Sequence, residues 1–60
     1  MVLSVKEFCQ YAGISPALYY LLQKRGEGPA ETRIAGRVLI LKETAAAWLR
    51  SKEVPAKVAA

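Results

Sequence analysis

The side chains of this 60-residue chain that could do chemistry are few and mostly basic: nine Lys and Arg stand against five Glu, for a formal charge of +4, with no histidine. Aspartate is absent and Cys9 is the only cysteine. A Cys/His zinc site, a disulfide, and a Ser-His-Asp or Cys-His dyad therefore cannot be assembled within the chain. The expectation is a protein without catalytic residues, metal or cofactor, in which Cys9 is a small buried hydrophobe. What the basic residues can do is neutralise a polyanion, and their placement says more than their sum. Lys24, Arg25, Arg33 and Arg37 gather in the middle of the chain, with Lys6 near its start. Lys42, Arg50, Lys52 and Lys57 read as solvated charges. One domain of this size buries only roughly 60% of the surface its unfolded chain exposes. That favours a surface-binding module, and no small-molecule ligand is expected. No run approaches the ~20 apolar residues of a membrane span, and no basic-then-apolar leader is present. The reading is a chain neither inserted in a membrane nor secreted, suited to a reducing cytoplasm.

Local chemistry sets the elements that carry these residues. Ser4 followed three residues later by Glu7 is a capping box, so a first helix starts at Val5. Gly13 ends it in the left-handed conformation, and Ser15-Pro16 supplies an N-cap and a first-turn proline for a second helix over about residues 16–25. Phe8, Cys9, Ala12, Ile14, Tyr19 and Leu22 fall on facing apolar positions. This is the pattern of a helix-turn-helix. Gly26-Glu27-Gly28-Pro29 forces a loop. Thr32-Arg33-Ile34 and Arg37-Val38-Leu39-Ile40-Leu41 then read as a two-stranded hairpin around Ala35-Gly36. Alanine is poor at the first position of a type I′ turn, so a three-residue loop with Gly36 in the left-handed region is expected. A third helix over about residues 42–52 completes the pattern, with an apolar stripe of Leu41, Ala45, Trp48 and Leu49 and with Trp48 as a core anchor. Glu43 in its first turn suits the helix dipole. The fold class expected is mainly α with a small β-hairpin, a winged helix-turn-helix over residues 1–53 followed by a mobile tail over 54–60.

In the order of its elements, the chain from Leu3 to Arg50 resembles the small excisionase and AlpA-like helix-turn-helix regulators, and more distantly the DNA-binding part of MerR proteins. The residues that carry the resemblance are Leu3-Ser4-Val5-Lys6-Glu7, Gly13-Ile14-Ser15, Tyr20, Arg25-Gly26-Glu27-Gly28-Pro29, Arg33-Ile34, Gly36-Arg37, Ile40 and Ala47-Trp48-Leu49. The resemblance implies sequence-selective binding of double-stranded DNA without catalysis. The roles it implies are excisionase-like control of recombination directionality or transcriptional regulation in a phage, plasmid or integrated element. It also implies a bacterial, cytoplasmic and nucleoid-associated setting.

A recognition helix presents its N-terminal residues to base edges. Ser15, Pro16, Ala17, Tyr20, Leu21 and Lys24, with Arg25 at its end, are the side chains of the second helix expected at DNA. Gln23 is a further candidate for a hydrogen bond to a base. Arg33, Gly36 and Arg37 are expected at the wing tip, where arginine can enter the minor groove or hold a phosphate, and Lys6 is a candidate phosphate contact. Relatives often carry basic or hydroxyl residues at the positions of Pro16, Ala17, Leu18 and Leu21, which are apolar here. Two readings of Leu18 and Leu21 stay open: contact with thymine methyls, or a surface for another protein chain. Partners implied are DNA and, for cooperative binding, a second copy of the chain or an integrase. The competing reading is an adaptor module that holds a protein through the apolar faces of its second and third helices.

Overall fold

The capping chemistry at Ser4 determines where the first helix begins. Its hydroxyl accepts the backbone N–H of Glu7 at 3.0 Å, and the Glu7 carboxylate accepts the N–H of Ser4 at 2.8 Å, closing the box. The computed structural model describes residues 1–55, arranged as β1 (Val2–Ser4), α1 (Val5–Ala12), α2 (Pro16–Lys24), β2 (Thr32–Ile34), β3 (Arg37–Leu41) and α3 (Lys42–Ser51). Residues 56–60, most of the expected tail, lie outside the described residues. Gly13 caps α1 at φ 73°, and the Ser15 hydroxyl accepts the N–H of Leu18 at 3.1 Å with Pro16 in the first turn of α2. At the other end of α2, Glu27 N–H bonds to Leu22 C=O and Gly26 N–H to Gln23 C=O. This is a Schellman motif with Gly26 in the left-handed position.

The sheet corrects two expectations. It has three strands rather than two, in the antiparallel order β1-β3-β2, so the described chain is mixed α/β. Val2, Leu3 and Ser4 pair with Leu41, Ile40 and Leu39, and the N–H of Lys42 closes the end of the pairing on the Met1 carbonyl at 2.9 Å. A lone hairpin is marginal, and the added strand makes β3 a central strand. Secondly, Ile34 pairs directly with Arg37, which leaves a two-residue turn in place of the expected three-residue loop. Ala35 accepts φ 49° and Gly36 φ 82°, the two positive values of a type I′ turn. Ala35 is the only non-glycine residue at positive φ among the described residues. The twist of the two flanking strands favours this turn strongly enough to outweigh the cost at one alanine.

Phe8, Cys9, Tyr19, Ile40 and Ala45 form the buried core, and Leu3, Val5, Ala12, Ile14 and Trp48 pack around it. Ile40 directs β3 at the helices, and α1 and α3 both pack on that strand. Leu41, expected on the apolar stripe of the third helix, ends β3 instead. It is exposed and caps α3 without a side-chain hydrogen bond. Trp48 is half-buried. Its ring meets Phe8 edge-on at 5.6 Å, its indole N–H donates to the Glu27 carbonyl at 3.0 Å, and the Lys52 ammonium lies 5.5 Å from the ring centre.

Two stability changes follow from this packing. Ala35→Asn should stabilise the protein by about 0.5–1 kcal/mol, because asparagine tolerates the left-handed region that costs alanine roughly 1–2 kcal/mol. Trp48→Ala should cost about 3 kcal/mol, the lower end for a large aromatic because the ring is only half-buried, and a large share of the stability of so small a domain. Urea unfolding followed by circular dichroism measures both.

Candidate nucleic-acid interface

Which side chains α2 presents outward follows from Tyr19. That residue is fully buried, so Ala17, Leu21 and Lys24, about half a turn away from it, face away from the core, with Tyr20 beside them. The structure therefore places Ala17, Tyr20, Leu21 and Lys24 on one exposed helical face, with Ser15 and Pro16 at its N-terminal end and Arg25 as its exposed C-cap. Tyr20 is 60% exposed, Leu21 46% and Leu18 41%. The Tyr20 ring rests edge-on against Tyr19 at 5.3 Å, which steadies it without covering it. Lys6 is exposed in the first turn of α1 and shares no element with this set.

The hairpin tip brings Gly36 and Arg37 to the surface. Arg33 and Arg37, expected to serve the tip together, point to opposite faces of the hairpin. Arg33 lies across from Val38 and Arg37 across from Ile34, and directly opposed residues share a face while neighbours along a strand do not. Arg33 also carries a partner of its own: its guanidinium donates to the Glu31 carboxylate at 3.0 Å, the one ion pair among the described residues. An exposed pair of this kind is worth little by itself. Its effect is to offset the charge of Arg33 and leave Arg37 as the arginine at the tip without that compensation.

Glu31 was not singled out by the sequence, yet it links the two parts of the candidate interface. Its other carboxylate oxygen accepts the hydroxyl of buried Tyr19, so the chain entering β2 is held to the inner side of α2. The bond from Tyr19 holds the Glu31 carboxyl below the usual carboxylate range, assisted by Arg33 and opposed by partial burial. Burial, then the bond to Glu31, pushes the Tyr19 phenol far above its ordinary value, so it remains a donor. Gln23, expected to be available for a base, instead donates from Nε2 to the Pro29 carbonyl at 2.9 Å. Its side chain lies so close to Gly28 that a Cβ there would meet it at 2.7 Å, so any larger residue at 28 would displace the Gln23 amide from this position. No local pattern signals these ties, because each joins a helix to a loop that has no periodicity.

The chain matches no protein-family model, no curated protein and no solved structure. What can be said of its function comes from its own residues. Among the described residues there is no cluster of His, Cys, Asp or Glu that could hold a metal ion, and no helix is long and apolar enough to cross a membrane. A shallow surface concavity of about 480 Å³, lined by Arg50, Glu53, Val54 and Pro55, lies at the end of α3 and includes none of the predicted site residues.

The Glu31 tie gives the fold an acid-sensitive element. Its folded carboxyl titrates below the unfolded value of about 4.3. The stabilisation is therefore present above that value and lost as the pH falls through the folded one. Glu31→Gln should flatten the fall of the melting temperature below about pH 4.5, where the parent continues to lose stability. Melts by circular dichroism across that window test this. Superimposable acid limbs would show that the carboxylate is not held down.

Proposed function

We propose that this protein is a winged helix-turn-helix module that binds double-stranded DNA without catalysis. In this reading α2 is the recognition helix and the β2–β3 hairpin is the wing. The observation that carries it is the Tyr19–Glu31 tie, which fixes the hairpin to α2 while leaving the outward face of α2 and the Arg37 tip exposed. Two projections at a set separation suit adjacent grooves of a duplex, and the net charge of +4 suits its phosphates. Lys24, Arg25 and Arg37, with Lys6, supply phosphate contacts. Ser15, Pro16, Ala17, Tyr20 and Leu21 face the bases, where Tyr20 offers a hydroxyl and Ala17 and Leu21 offer apolar contact to thymine methyls. Gly36 lets the backbone approach closely at the tip, and Arg33 acts there only by exchanging Glu31 for phosphate. The role that fits is an excisionase-like directionality factor or a small transcriptional regulator of a phage, plasmid or integrated element, working beside an integrase or further copies of itself in the bacterial cytoplasm. One such module buries only roughly 600–1,000 Å² on DNA, so occupancy depends on neighbours.

A second reading has an observation of its own. Leu18 and Leu21 are exposed together on α2, as expected of an adaptor that holds a protein partner. Binding to random-sequence duplex at increasing salt separates the two readings. A steep loss of affinity marks phosphate neutralisation, and no measurable binding at low salt favours the adaptor.

Under the DNA reading, Arg37→Ala should weaken binding to all duplexes by a similar factor and lower the salt slope by about one unit. Tyr20→Phe should instead reduce binding to a selected sequence by about 1–3 kcal/mol and leave random-sequence binding nearly unchanged. Fluorescence anisotropy titrations of both variants on selected and random duplexes read the two effects. If neither variant differs from the parent, α2 and the hairpin tip are not the contact surfaces.

A further inference from the structure

We propose that Glu31 acts as an internal stand-in for a DNA phosphate: it occupies Arg33, the hairpin arginine on the side of α2, and so sets how tightly the protein holds a duplex. The proposal rests on the DNA reading above and adds an affinity-setting residue to it. Ile40 points into the core, and strand alternation puts Val38 on the same side of β3. Arg33 lies directly across from Val38, so it shares the side of the sheet on which the helices pack, whereas Arg37 and Ile34 share the other. Of the two hairpin arginines, only Arg33 is on the side of α2. Its guanidinium donates to Oε1 of Glu31 at 3.0 Å, and Oε2 of the same carboxylate accepts the hydroxyl of Tyr19 on α2.

The two members of this pair differ in freedom. The Glu31 side chain is only 16% exposed and is anchored to a fully buried tyrosine, while that of Arg33 is 75% exposed. Arg33 is therefore the member that can leave. The bond from Tyr19 also holds the Glu31 carboxyl below the usual range, so it stays ionised at neutral pH. A carboxylate fixed by the core and presenting one oxygen to an exposed guanidinium offers arginine what a phosphate oxygen offers. An exposed pair is weak, so a phosphate brought up beside α2 competes with it at small cost. When the guanidinium leaves, the carboxylate remains behind on Tyr19 as a fixed negative charge. Among the described residues Arg33 is the one basic side chain with an acidic partner, and it is also the one the hairpin turns toward α2. The charges of Lys24, Arg25 and Arg37 carry no such offset.

Glu31→Gln separates the competition from the tie, because the amide oxygen still accepts the Tyr19 hydroxyl while the amide nitrogen cannot accept from Arg33. Binding of random-sequence duplex is followed by fluorescence anisotropy between about 50 and 200 mM salt for the parent, Glu31→Gln, Arg33→Ala and the double variant. Glu31→Gln should bind about three- to tenfold more tightly at the low-salt end, with a salt slope steeper by about one unit. Arg33→Ala should cancel that gain in the Glu31→Gln background and should cost the parent less than Arg37→Ala does. A parent that binds, with a Glu31→Gln variant that binds no more tightly, overturns the proposal and leaves the DNA reading standing. A gain that survives in the double variant also overturns it, because Glu31 would then act by repelling the duplex and not by occupying Arg33. If circular dichroism shows Glu31→Gln to be unfolded, the parent background decides: a loss from Arg33→Ala equal to that from Arg37→Ala overturns the proposal, and a smaller one supports it. A parent that binds no duplex at low salt overturns the DNA reading itself and this proposal with it.

Discussion

Phe8 is the contact on which the rest of the structure depends. It is fully buried on α1, and its ring meets Tyr19 of α2 and Trp48 of α3 edge-on, each at 5.6 Å. One side chain therefore joins all three helices. Ile40 adds the sheet to the same cluster, with Cys9 and Ala45 as the small residues that let the helices come close. Complete burial of such a side chain contributes about 1.5–3 kcal/mol, and edge-to-face pairs add about 0.5–1.5 kcal/mol beyond area. With only five buried core side chains among the described residues, few other contacts could take over this role. The orientation of α2 thus follows from aromatic geometry at its inner side, and the exposed side is free to vary without cost to the core.

The loop between α2 and β2 would be the weak point of such a fold, because it has no periodic elements to bury. It is held instead by three side chains at alternate residues. The Trp48 indole takes the Glu27 carbonyl, Gln23 takes the Pro29 carbonyl, and Tyr19 takes the Glu31 carboxylate. Two of the three donors belong to α2, and Trp48 and Tyr19 both touch Phe8. The polar ties are therefore extensions of the apolar core rather than independent supports. Buried polar groups are costly unless paired, and among the described residues no buried side-chain nitrogen or oxygen is left without a partner. The result is a hairpin whose base is set by α2, although the two elements are separated by a loop rich in glycine.

What could be read in the sequence was local. The Ser4/Glu7 box, the Gly13 stop and the Ser15-Pro16 start each act within one turn of backbone, and each is found in place. The exposed face of α2 follows from the same periodicity. Pairings between distant residues were not legible. Val2-Leu3-Ser4 is too short to signal a strand, and it becomes one only because β3, about 35 residues later, offers it a partner. Leu41 looked like the first member of a helical stripe because the i, i+4 spacing runs across the boundary between strand and helix. Its outward direction follows from the pairing with Val2, a distant contact. Glu31 carried no signal, since its function depends on a tyrosine 12 residues away and an arginine two residues away. Ala35 shows the opposite case: the local preference was read correctly, and the tertiary demand for a two-residue turn overrode it.

The same small size that limits the core accounts for the chain's apolar exposure. Two helices can cover one face of a three-stranded sheet, and nothing remains within the described residues to cover the other. A purely structural account would predict polar residues on that uncovered face, because an antiparallel sheet with one wet side normally alternates apolar and polar. β3 does not alternate: Val38, Leu39, Ile40 and Leu41 are a continuous apolar run of the kind found where both faces are buried. The outward face of α2 departs from expectation in the same way, with Leu18 and Leu21 where a solvated helix would carry charge. Stability of the single chain requires neither departure. The fold of the single chain thus makes no use of the exposed apolar side chains on α2 and on the sheet, and surface of that kind is where small domains commonly meet other molecules.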